Sequence, residues 1–151
     1  MLQDALFAYL HFAAIFTLIW FLAKEWTLLK AGAAKLDFQR LARADAGFGI
    51  AAVAVIATGV CRATLGAKPW AFYATNPTFH VKITLFVLVG IISIWPTLAF
   101  IRWRKAGSDP NYRVPEQEWR SIKRLVIMEL HGVALIPIFA VLMSRGFRLF
   151  G

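Results

Sequence analysis

The sequence predicts an all-α integral membrane protein, a four-helix bundle with both termini on the non-cytoplasmic side. Three observations lead there. The 151 residues are 60% hydrophobic and 17% charged, where a soluble domain carries about 25% charged residues. The apolar residues gather into four blocks of about twenty, the length that crosses a hydrocarbon core. The 17 basic residues divide unevenly between the two sides that those blocks define.

The first span is expected at about 5–22. No basic residue precedes it and no small-residue cleavage site follows it, so it reads as a retained helix and not a signal peptide. It ends at Lys24, Glu25 and Trp26, an interfacial finish. The second span, about 47–65, holds Gly47, Gly49, Ala51, Ala52, Ala54, Ala57, Thr58 and Gly59. Small residues let helices approach closely in lipid, which places this helix centrally and favours a homo-oligomer. The third span covers about 79–101 and the fourth about 125–143, with Pro96 and Pro137 inside them. Between the third and fourth spans, Gly107 to Asn111 reads as a turn. Pro115, Glu116 and Glu118 then mark a helix start. Trp70, Phe72 and Tyr73 in the opposite loop suit a membrane interface.

Orientation follows from charge. Lys24, Lys30, Lys35, Arg40, Arg43, Arg102, Arg104, Lys105, Arg113, Arg120, Lys123 and Arg124 lie in or beside two loops on one side. Arg62, Lys68, Lys82, Arg145 and Arg148 lie on the other. The richer side is cytoplasmic, which suits a multi-pass protein of the bacterial inner membrane. The net charge of +9 therefore reports topology, and nucleic-acid binding is set aside. The length leaves room for one transmembrane domain and no separate soluble one. One cysteine, Cys61, excludes an internal disulfide and Cys-based clusters.

Ionisable groups within hydrocarbon are costly, so each is a candidate for function. They are His11 in the first span, His80 and Lys82 opening the third, and Glu129 and His131 in the fourth, with Asp45, Arg62 and Arg145 near span ends. All three histidines of the chain lie in or at the edge of spans. Imidazole is a common ligand of metals and haem iron, while a lone intramembrane His otherwise bonds a neighbouring helix. His11 sits about 5 Å to the outer side of its helix midpoint at 1.5 Å per residue. His80 is on the same side, so the pair His11–His80 ranks first as iron ligands, with His11–His131 as the alternative. His80 and Lys82 are two residues apart and point about 200° away from each other on a helix, as do Glu129 and His131. One member of each pair should face a site. An acid at Glu129 needs a partner or a proton, and Lys24, Arg40 and Arg43 are candidate partners. No hydrolase motif or phosphate-binding loop occurs, and Ser93 and Ser144 have no base beside them.

Tyr9-Leu10-His11-Phe12, continuing to Trp20, resembles the first helix of the HemJ-type protoporphyrinogen IX oxidases. Phe79-His80-Val81-Lys82-Ile83 resembles the opening of their third span, and Glu129 an acid early in their last helix. The same broad group contains CopD-type copper-resistance proteins and small membrane proteins of this length. The resemblance implies a four-helix haem b protein with His11 as axial ligand and His80 or Lys82 contributing from the third helix. The chain departs from the HemJ type at Ser93-Ile94-Trp95-Pro96, where a Tyr-His pair is usual, and at His131. The expected role is redox: electron transfer, or quinol or porphyrinogen oxidation. Lys82 or Arg62 would face haem propionates, and Glu129 would serve proton traffic or structure. Two other readings stand beside it. One is copper handling, for which Met1, Met128, Met143 and Cys61 form no soft-ligand cluster. The other is a structural subunit without a cofactor.

Overall fold

The computed structural model describes residues 2–66 and 68–145. Met1 and Arg148 lie outside them, as do the side chains of Met143 and Ser144. Four long helices, α1 (Leu2–Leu29), α2 (Phe38–Leu65), α4 (Pro77–Ala106) and α5 (Glu116–Ser144), carry the fold. A five-residue helix, α3 (Trp70–Ala74), lies between α2 and α4. Each long helix is apolar and long enough to cross a membrane, and no strand occurs among the described residues. The helices form two hairpins, α1–α2 and α4–α5, which meet through α1 against α5 and α2 against α4.

The helix ends have local causes. After α1 the chain passes through Gly32 at φ 93, a left-handed value that favours glycine, and a 3₁₀ turn at Ala33–Lys35. Asp37 then caps α2, its carboxylate accepting from the Arg40 amide at 2.9 Å. Asn76 does the same for α4, accepting from the Thr78 amide at 2.9 Å, with Pro77 in the first turn. Pro96 and Pro137 both lie inside continuous helices.

The long helices run one to three turns beyond the spans expected at residues 22, 47, 101 and 125, all at the end that carries the basic connections. This basic end holds most of the core. Leu22, Leu29, Leu41, Phe100, Trp103 and Val126 are each fully or almost fully buried there. The Trp103 indole Nε1 donates to Glu118 at 2.9 Å, and Arg102 pairs with the same carboxylate, closing the α4–α5 hairpin. Trp119 Nε1 donates to the Leu29 carbonyl at 3.1 Å, joining α5 to the end of α1. Lys123 adds cation–π contacts to Trp119 and Trp26 at 4.7 and 5.3 Å.

Toward the opposite, terminal end, α1 contributes no buried residue before Leu18, and α2 buries only Ala63 beyond Val55. The small residues of α2 serve the α1–α2 contact. The Phe21 ring occupies the place a side chain on Gly47 would take, whereas Gly49 faces open space. The exposed face of Phe12, Phe16, Trp20, Ile50, Val53, Ile56 and Val60 is a surface suited to lipid.

Candidate functional site

Two polar assemblies interrupt the apolar bundle, one at each end. The terminal-end assembly is built on His11, half-buried on α1. Its Nδ1 lies 2.9 Å from the Thr58 hydroxyl of α2. That hydroxyl donates its single proton to the Ala54 carbonyl at 2.7 Å, a geometry dictated by the i−4 turn. A carbonyl can only accept, so the hydroxyl meets His11 with a lone pair and Nδ1–H must be the donor. The Val55 carbonyl lies 3.3 Å from the same hydroxyl. In the neutral imidazole this leaves Nε2 as the free lone pair, the arrangement in which a second-shell acceptor orients a ligating histidine. Gly59 makes room for the ring, since a Cβ there would come within 3.2 Å of His11 Cε1.

Arg62 of α2 and Lys82 of α4 lie within electrostatic range of His11 and of each other. Arg62 stacks over Phe12 at 5.9 Å and Lys82 over Phe79 at 5.2 Å. Among the described residues neither forms an ion pair with a carboxylate. A free imidazole nitrogen beside two cations in an apolar setting suits an amphipathic ligand that carries both a metal and acidic groups.

The helical arithmetic for the two spaced pairs agrees with the structure. Lys82 turns toward His11 while His80 is exposed, its Nε2 donating to the Ala74 carbonyl at 2.8 Å. Glu129 is buried while His131 is exposed, its Nδ1 donating to the Ile127 carbonyl at 2.7 Å. No hydrogen bond or ring contact joins His11 to His80 or His131 among the described residues. No three His, Cys, Asp or Glu side chains among the described residues group closely enough to hold a metal ion.

The second assembly is acidic and lies toward the basic end. Glu25 of α1 and Glu129 of α5 are each 1% exposed and Asp45 of α2 is 9% exposed. Glu25 feels the charges of both others, and Glu129 that of Asp45. Thr97 of α4 donates to Asp45 at 2.7 Å, so all four long helices contribute. The basic partners expected for Glu129 are elsewhere. Arg40 pairs with Asp37, Lys24 lies over Trp20 at 4.8 Å, and Arg43 is exposed. Glu25 had looked interfacial because Lys24 and Trp26 flank it. Its spacing from Leu18, Leu22 and Leu29 was the available signal, since all four share one buried stripe.

A lipid-facing four-helix bundle with ionisable groups turned inward defines a polytopic helical membrane protein with a polar site inside it. The chain belongs to the family described as Predicted membrane protein (DUF2214), which it matches over residues 3–148. Among curated proteins and solved structures, nothing matches it.

Proposed function

We propose that the protein is a redox component of the bacterial inner membrane that would hold b-type haem at its terminal end through His11. The observation that carries this reading is the Thr58–His11 hydrogen bond, which commits Nδ1 as donor and leaves Nε2 for iron. Haem, when bound, would supply one-electron chemistry, with the protein tuning it through the axial ligand and its surroundings. Arg62 and Lys82 are the groups suited to the propionates. The likeness to HemJ-type oxidases at His11, Lys82 and Glu129 supports the same reading. Lys82 is taken as the second residue of the site in place of His80 and His131, because it lies within electrostatic range of His11 while both histidines are exposed and neither contacts His11 among the described residues. The basic end faces the cytoplasm, in keeping with its Lys and Arg content.

The test is reduced-minus-oxidised absorbance of protein purified from haem-replete cells. A Soret band is expected, lost in His11→Ala and kept in His80→Ala and His131→Ala. Absence of the band from wild-type protein at normal yield would reject the proposal. Retention of the band in His11→Ala would reject the ligand assignment.

A further inference from the structure

We propose that Glu25, Asp45 and Glu129 form a single proton-binding site in the core of the bundle, a site separate from the one at His11. The helix faces turn all three carboxyls into the core. On α5, Ile122, Val126, Glu129, Val133 and Ile136 are all buried at alternating spacings of four and three, so Glu129 occupies a core position of the bundle seam. Glu25 falls on the equivalent stripe with Leu18, Leu22 and Leu29, and Asp45 shares its face with Leu41 and Phe48. An acid on such a stripe has no route to water by rotamer change alone.

The oxygens then want a ligand. Glu25 Oε1 and Glu129 Oε1 are buried and have no hydrogen-bond partner among the described residues. Thr97 supplies one donor, and it goes to Asp45. No ion pair links any of the three to a basic side chain among the described residues. Leu29, Leu41, Phe100, Trp103 and Val126 seal the side toward the basic end.

Uncompensated buried carboxylates are not tolerated, and a buried polar atom without a partner costs free energy. A proton meets both demands at once. A carboxylic acid O–H can donate where a carboxylate can only accept, so a proton removes the charge and gives an orphaned oxygen the means to bond an acceptor. The spacing does not suit a metal ion, for which no three ligating side chains group closely enough among the described residues. Glu25 and His11 are about 20 Å apart along α1 at 1.5 Å per residue, too far for direct contact. The acid site therefore stands whether or not haem binds at His11.

The test uses the full chain in detergent or lipid, with protons as the probe. Infrared difference spectra between wild type and Glu129→Gln at neutral pH are expected to show loss of a protonated-carboxyl C=O stretch. Glu25→Gln should shift or remove the same band, because the groups are coupled. A difference spectrum containing only carboxylate bands would overturn the proposal. Stability gives a second readout that tolerates poor yield. Native-state proton binding means that wild type melts at lower temperature as pH rises. Gln mimics the protonated acid, so the Glu25→Gln/Glu129→Gln variant should lose most of that dependence, with only Asp45 left to titrate. A wild-type melting temperature raised by sodium, potassium, magnesium or calcium ions, with no such rise in the double variant, would mean a metal-cation site instead and would equally overturn it.

Discussion

Thr58→Val tests whether Thr58 sets the tautomer and orientation of His11. Valine keeps the β-branched shape and the volume of threonine, so α1–α2 packing is preserved. What is lost is the acceptor 2.9 Å from Nδ1. The imidazole donor is then left facing a methyl group, at a cost of about 1–3 kcal/mol for an orphaned half-buried donor. Removing a second-shell partner of a ligating His lowers metal affinity about 10- to 100-fold, which is about 1.4–2.7 kcal/mol. The two figures overlap, so haem affinity should fall by about that factor. Thr58→Ser restores the hydroxyl and its i−4 bond to Ala54 and should stay within about threefold of wild type. Titration of haem-free protein with haemin, followed by absorbance, measures all three proteins. Equal affinity for wild type and Thr58→Val, alongside loss of binding in His11→Ala, would refute the tautomer argument.

Other outcomes follow from the same geometry. Gly59→Val should displace the His11 ring and weaken the Soret band, because even a Cβ comes within 3.2 Å of Cε1, while Gly49→Ala, in open space, should leave it unchanged. Glu118→Ala removes the acceptor of the buried Trp103 indole and should destabilise the protein by about 1–3 kcal/mol in thermal unfolding, with Glu118→Gln recovering most of that loss through its carbonyl. Trp119→Phe removes the indole bond to the Leu29 carbonyl and should cost about 0.5–1.5 kcal/mol in the same assay.

Hydropathy located the four spans because lipid selects apolar residues wherever it touches a helix. It could not locate the ends at the basic connections. There α1 continues through Lys24 and Glu25, and α2 begins well before Gly47, because those turns are held by partner helices and not by lipid. The division of each spaced pair, Lys82 from His80 and Glu129 from His131, was legible from the helical repeat alone. The choice of the inward member depended on packing that one helix cannot reveal. Asp45 was visible only as a residue near a span end. Its place in the acid cluster needs Thr97, 52 positions away in the chain, which no local pattern supplies.

The uneven filling of the bundle divides its mechanical behaviour. The basic end, with its aromatic contacts and the Glu118 latch, behaves as a clasp, while the terminal end has little buried side-chain contact to break. Local opening is least costly where few apolar contacts must be given up. Haem bound as proposed would therefore reach His11 sideways, between the two hairpins from within the bilayer, leaving the contacts of the clasp in place.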